Sequence, residues 1–261
     1  MQSNENIILS DNKKPEFKII EIGDYSIGFF IAKNETKNDN EDCLFVKKEK
    51  SGLVIGVSDG AGGHPRGKDA SFLAASMCFK EENQITENKP HPIELIEIIN
   101  QGVTDLKVGA KCTLLFVTIK ENIFKSYSVG DSEVIYWNSI GNEIYTNIPH
   151  SVVGYSIEAG VLEQEASLDE DERHIVNNLV GDTSIRIEAT SGVKMKKGHT
   201  ILLGSDGLFD NLSHDSLNEI VMNGSFDKCF DDLVKKCIER DKNTWKKDDD
   251  ISFVLIKKTR S

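Results

Sequence analysis

The chain has 261 residues, 38% hydrophobic and 28% charged, a mixture that suits one soluble domain with a substantial core. Acidic residues outnumber basic ones 43 to 31, giving a formal charge of −12, whereas a nucleic-acid binder would show the reverse balance or a basic stripe. No apolar run approaches the ~20 residues of a membrane span.

The opening MQSNENIILSDNKKPEF is polar and lacks a signal-peptide core, so residues 1–15 are expected to form a flexible tail and residues 16–261 a single domain. Runs rich in β-branched and aromatic residues then predict strands at 17–23 (FKIIEIG), 26–32 (SIGFFIA), 42–48 (DCLFVKK) and 53–59 (LVIGVSD). Helices are expected over 67–82 and 92–107, the second with Leu95, Ile96, Ile99, Val103 and Leu106 on one stripe. Strands follow at 112–120, 123–131, 132–138 and 143–148, and short helices within 150–180. Strands are expected again at 185–195 and 200–205, then helices at 214–223 and 226–241, and a last strand at 251–258. Strands in hairpin-like pairs, with helix pairs between blocks, predict packed antiparallel sheets with helices outside; a doubly wound chain would alternate strand and helix. Five dispersed cysteines without a C-x-x-C pair fit reduced thiols in a cytoplasmic protein.

The acids fall in a pattern. Asp59-Gly60 ends LVIGVS, Asp206-Gly207 ends TILLGS, and Asp131 follows YSVG, while Glu41-Asp42 and Asp248-Asp249-Asp250 precede strands. Each alone reads as a solvated turn. Together, at strand ends along one sheet edge, they form a carboxylate set of the kind that holds hard divalent cations such as Mg²⁺ and Mn²⁺. The loop SDGAGGHPRGKDAS (58–71) comes close to a phosphate-binding P-loop, since Gly62 to Lys68 fits G-x-x-x-x-G-K. A P-loop needs a hydroxyl where Asp69 stands, and a parallel sheet. The glycines are better explained as a tight turn after Asp59 and close packing of the next helix. His64 in this loop is a candidate proton donor, against its reading as an exposed turn residue.

These residues resemble the metal-dependent protein phosphatases of type 2C, in their compact bacterial form. The resemblance runs in order over residues 20–258: NEDCLFV (40–46), VSDGAGGHPRGKDAS (57–71), KCTLLFVTI (111–119), SVGDSEVIYW (128–137), a flap segment in EAGVLEQEA (158–166) and NNLVG (177–181), LLGSDGLFDNL (202–212) and DDDISFVLI (248–256). It implies an α+β fold, a four-layer αββα sandwich of two antiparallel sheets between helix pairs. It also implies hydrolysis of phosphoserine and phosphothreonine by a water shared between two Mg²⁺ or Mn²⁺ ions, with a weaker third ion. Asp59 would bridge the two metals. The Gly60 carbonyl would bind one, and Asp206 and Asp249 would complete the other. Glu41 and Asp42 would bind the cluster directly or through water, and Asp131 with Asp206 would hold the third ion. The implied partners are phosphorylated proteins and a cognate Ser/Thr kinase or its targets, for a monomer that binds neither nucleic acid nor membrane.

The chain departs from the family pattern in four places. Lys37 stands where an Arg usually grips the phosphate, Glu133 where an Arg often follows Gly-Asp-Ser, Ala61 where Met or His is common, and Pro149 where Asp often precedes His-Ser. Lys37 is therefore the expected phosphate contact, with Arg66 in the metal loop as the alternative. The rival reading is a catalytically weak or inactive phosphatase-fold binding module in a signalling pathway.

Overall fold

The computed structural model describes residues 6–10, 14–163, 172, 175–240 and 245–260. Thirteen strands form two antiparallel sheets among these residues. The first contains β1 (Ile7–Ser10), β4 (Asp42–Glu49), β5 (Gly52–Asp59), β6 (Leu114–Lys120), β7 (Ile123–Val129), β10 (Glu188–Ala189) and β11 (Val193–Lys194). Its order is β1-β4-β5-β6-β7-β10, with β11 also on β7. The second runs in the order β2-β3-β13-β12-β8-β9. It is built from β2 (Glu16–Ile22), β3 (Tyr25–Ala32), β8 (Glu133–Trp137), β9 (Glu143–Thr146), β12 (Thr200–Gly204) and β13 (Ile251–Lys258).

The two-residue period of a strand sorts side chains into layers. In β3, Ile27, Phe29 and Ile31 point into the space between the sheets, where they meet Leu44 and Val46 of β4, Val117 of β6 and Val254 of β13. Phe30 and Ala32, one residue out of phase, face α5 (His214–Met222) and α6 (Phe226–Glu239) through Leu217, Phe230 and Leu233. On the other outer face, Cys43, Phe45 and Phe116 pack under α1 (Gly67–Phe79) and α2 (Pro92–Thr104), against Ala70, Ala74, Ile96 and Ile99. Central strands are buried on both sides and so read as continuous apolar runs. The architecture is the expected αββα sandwich. Helix starts follow local chemistry: Ser213 and Ser225 cap α5 and α6 by accepting backbone N–H bonds, and Pro92 opens α2 where no N–H is needed.

Two elements correct the sequence reading. The tail expected through residue 15 gives way at Ile7–Ser10, which pairs with Cys43–Val46 as an edge strand. Ile7 and Leu9 pack on the inter-sheet core and Ile8 on the α1–α2 layer, so this short apolar run buries surface from both sides. Residues 1–5 and 11–13 of that tail lie outside the described residues, as do residues 164–166 of the expected flap motif. The pair Asp206-Gly207, expected at the end of a strand, instead opens the one-turn helix α4 (Asp206–Phe209). Where short helices are expected within 150–180, α3 (Val152–Glu158) forms, capped by Ser151.

Candidate active site

The strand ends at one rim of the sandwich carry the acids. Asp42 opens β4 and stands directly opposite Asp59, the last residue of β5. The turn from β7 to β8 crosses from one sheet to the other and presents Asp131; the exit from β12 gives Asp206, and the entry to β13 gives Asp249 and Asp250. Ala32 at the end of β3 pairs with Ile251 at the start of β13, which brings the following loop, with Lys37 and Glu41, to the same rim.

Hydroxyls fix the backbones that bear these acids. Thr113 Oγ1 accepts from the Asp59 N–H at 2.9 Å, and the Thr113 N–H donates to the Asp59 carbonyl at 2.8 Å. The same hydroxyl meets Ser132 Oγ at 2.7 Å, next to Asp131, so a single side chain ties both turns together. Ser205 Oγ donates to Asp42 Oδ2 at 2.7 Å, a bond that passes between the sheets. Asp250 is buried and accepts from the N–H groups of Asn34 (2.7 Å) and Glu41 (2.9 Å), fastening the Lys37 loop to β13.

Two glycine contacts set how tightly the rim closes. A Cβ on Gly60 would lie 2.4 Å from the Gly67 backbone, so α1 can begin directly behind Asp59 only with glycine here. A Cβ on Gly207 would lie 1.8 Å from the Asp250 carbonyl oxygen, so the Asp206 turn packs onto the β13 entry.

The cluster is electrostatically strained. Burial, then the charges of Asp42, Asp206, Asp249 and Asp131, holds the Asp59 carboxyl well above the ordinary range. Burial and Asp206 do the same to Asp131. Asp42 is pushed up to about 7 by burial and by Asp250, against the stabilising bonds of Ser205 and Ser252. Burial also raises Glu41, although Lys37 pulls the other way. Asp42 Oδ1 and Asp206 Oδ1 are buried with no hydrogen-bond partner among the described residues. Orphaned carboxylate oxygens in a cluster of like charge fit a divalent cation, and the donor set, all oxygen, fits a hard one.

Two lysines reach into this cluster. Lys37 Nζ lies 2.5 Å from Asp249, 3.3 Å from Asp250 and 3.5 Å from Glu41. Lys247 Nζ lies 3.1 Å from Asp210 and 3.7 Å from Asp249, and forms an ion pair with Asp206. Burial works to lower each ammonium, but the facing carboxylates, Asp249 for Lys37 and Asp206 and Asp210 for Lys247, hold both above the ordinary lysine range. Among the described residues, no three Asp, Glu, His or Cys side chains form a ready-made cation cage, and the lysines lie between carboxylates that would otherwise face one another.

Of the residues expected from the sequence, Asp59, Gly60, Glu41, Asp42, Asp131, Asp206, Asp249 and Lys37 share this rim. Arg66 stands just before α1, exposed and paired with Asp69. His64 is a partly exposed turn residue whose N–H donates to the Ala61 carbonyl. Lys247, Asp210 and the structural part of Asp250 escaped the sequence reading. The signal for Asp210 was present, since it follows Asp206 by four residues, one helical turn; Lys247 abuts the acidic run 248–250 with nothing to mark it.

Residues 32–246 match the sequence model of the family described as Protein phosphatase 2C, and the chain belongs to that family. It is 26% identical over 204 residues to the protein phosphatase PhpP of Streptococcus pneumoniae, an alignment covering 73% of this chain and 81% of that one. Among solved structures it resembles the serine/threonine phosphatase Stp1 of Staphylococcus aureus, with a TM-score of 0.75, 20% identity, and 88% and 94% of the two chains covered. It also resembles the catalytic domain of the serine/threonine phosphatase PstP in complex with two manganese ions, with a TM-score of 0.70, 17% identity, and 90% and 99% covered. These structural likenesses show the fold.

Proposed function

We infer that the chain is a serine/threonine protein phosphatase that uses Mg²⁺ or Mn²⁺ to hydrolyse phosphoserine and phosphothreonine in proteins. The observation that carries this reading is the gathering of Asp59, Asp131, Asp206 and Asp249 at one rim of a family 2C sandwich, with Asp206 Oδ1 and the neighbouring Asp42 Oδ1 buried and without hydrogen-bond partners among the described residues. Asp59, the Gly60 carbonyl, Asp206 and Asp249 would hold two ions, with Glu41 and Asp42 beside them and Asp131 available to a weaker third. Such cations, when bound, supply a lowered pKa for water and positive charge for phosphoryl oxygens.

The chain's own residues supply the rest. Asp59 and Asp42, opposite each other on paired strands, set the floor of the site. Thr113, Ser132 and Ser205 act through hydrogen bonds that orient carboxylates, and need no nucleophilic part. Lys37, on a loop fixed by Asp250, is partly exposed and presents a flexible point charge where an Arg would present a planar fork; it orients the phosphoryl group by exchanging one of its three carboxylate partners for a phosphate oxygen. The five cysteines are buried and free, in keeping with a reducing cytoplasm, and among the described residues no helix is long and apolar enough to cross a membrane. The partners proposed are phosphoproteins, including a Ser/Thr kinase or its targets, for an enzyme working as a monomer.

The test is phosphate release from phosphoserine and phosphothreonine peptides with Mn²⁺, Mg²⁺ or EDTA, with nicked DNA as a parallel substrate. Release that requires the cation and is confined to the peptides supports this reading. Full activity in a verified metal-free preparation would remove the cation from it. Phosphopeptide binding without turnover would leave the inactive binding module.

A further inference from the structure

We propose that Lys247 is a built-in cation that competes with divalent metal for Asp206 and Asp249, with Asp210 as its holding partner, and so sets the metal concentration at which the site fills; this rests on the phosphatase reading above.

The placement of Lys247 does not depend on its long side chain alone. Asn211, almost fully buried, fixes the backbone beneath it: its Oδ1 accepts from the N–H groups of Lys246 (2.7 Å) and Lys247 (2.8 Å), and its Nδ2 donates to the Lys247 carbonyl (2.9 Å) and to the Gly207 carbonyl (2.9 Å). The segment is stapled to α4, the helix that carries Asp206 in its first turn and is capped at its C-terminus by Asp210. The Lys247 side chain therefore emerges over both acids.

Three carboxylates meet its ammonium, and two of them, Asp206 and Asp249, are the proposed ligands. A cation entering at Asp206 must replace a contact that the chain already makes. The exchange is eased because Asp210 lies one helical turn along, its N–H donating to the Asp206 carbonyl at 2.8 Å, and already contacts Nζ at 3.1 Å. The ammonium can yield Asp206 without being left buried and unpaired, which would be the costly outcome. Lys37 is differently placed, facing Asp249, Asp250 and Glu41 from the opposite loop, so the two lysines meet only at Asp249.

Calorimetric titration of the whole protein with Mn²⁺ reads the competition without turnover. Lys247→Met should tighten Mn²⁺ binding roughly tenfold or more, the scale of losing one charge-assisted competitor. Lys247→Arg, which keeps the charge, should stay near wild type. Asp210→Asn should weaken Mn²⁺ binding in the wild-type background and leave it unchanged in the Lys247→Met background. Equal weakening in both would make Asp210 a metal ligand and overturn its holding role. In EDTA, Lys247→Met should melt below wild type, because three acids lose their counter-ion, and saturating Mn²⁺ should restore it; if Lys247→Met fails to fold, Lys247→Gln takes its place in both measurements. Unchanged or weaker Mn²⁺ affinity in the charge-removed variant, with a wild type that binds Mn²⁺ and releases phosphate, overturns this inference alone. A wild type that neither binds Mn²⁺ nor releases phosphate overturns the phosphatase reading as well.

Discussion

Asp59→Asn separates stability from activity. The carboxyl of Asp59 is raised well above its unfolded value by burial and by four neighbouring acids. A carboxylate with a raised folded pKa binds more protons in the native state, so it costs the fold stability as pH rises through that window. Replacing it with an isosteric amide removes the cost. The size follows from the nearest neighbour: Asp42 is its cross-strand partner, and side chains directly opposite one another have Cβ atoms ~5 Å apart, a separation at which an effective dielectric of ~20 gives roughly 3 kcal/mol of repulsion between two charges. Asp59 is partly exposed, and discounting for solvent leaves about 1 kcal/mol, or ~2–4 °C in melting temperature for a chain of this size. In EDTA the variant should therefore melt at or above wild type, with the gap widening as pH rises above the ordinary carboxylate range, while Mn²⁺ should raise the melting temperature of wild type only. Turnover of a phosphopeptide should fall by ~10³-fold or more, the equivalent of several kcal/mol of lost charge stabilisation. Differential scanning calorimetry and single-turnover phosphate release are the assays. A variant that is destabilised in EDTA, or that keeps its turnover and its Mn²⁺-dependent shift, would refute the electrostatic argument and place the site elsewhere.

Lys37→Ala should raise KM for a phosphopeptide more than it lowers kcat, by ~1–3 kcal/mol in kcat/KM, and Lys37→Arg should improve kcat/KM; a silent Lys37→Ala with a weakened Arg66→Ala would move the phosphate grip to Arg66. Asp131→Ala should lower turnover yet leave two tightly bound ions in equilibrium dialysis; loss of all metal would make Asp131 part of the core pair. His214, bonded at 3.2 Å to Glu133 and 3.3 Å to Glu143, is raised to about 9; burial opposes the shift and these two acids drive it. A raised folded pKa gives stability that is complete below pH 6.5 and lost as pH climbs through 9, of order 2–3 kcal/mol. Urea unfolding at pH 6 and pH 9.5 should show that loss in wild type and not in His214→Gln; equal slopes in the two proteins would remove His214 from the pH dependence.

Much of the site was legible because its acids sit where the sequence announces strand ends. LVIGVSD and TILLGSD each combine an apolar run with Asp-Gly, and the two-residue period then fixes which side chains line the core. The carboxylates could be named without coordinates from that placement and from the family resemblance, but the single sheet edge expected for them is in fact two: Asp42 and Asp59 come from one sheet and Asp206 and Asp249 from the other, which only the stacking of the layers brings together. The lysines could not, since a lysine is usually solvated and nothing local distinguishes Lys247 from Lys246. What places Lys247 at the acids is Asn211, 36 residues away, whose amide holds the backbone of both lysines. Asp250 was equally opaque: it belongs to a run of three acids, and only the fold shows that Asp248 pairs with Arg240 at the surface while Asp250 is buried under Asn34 and Glu41. The strand β1 was missed because four residues between polar stretches carry too short a period to read, and its partner β4 lies more than thirty residues on.

The bond from Ser205 to Asp42, and the β7–β8 crossing that carries Asp131, make the rim a seam. Asp42 and Asp59 belong to one layer, Asp206 and Asp249 to the other, so a cation held between them would fasten the two sheets like a rivet. Neither half of the sandwich owns the site. Sliding of one sheet against the other, even with every strand intact, would pull these acids apart, and any change to the buried apolar faces that alters the spacing between layers would be felt at the rim. Side chains far from the acids, such as Phe29 and Val117 in the shared core, thus act as the gauge blocks that set the width of the jaw.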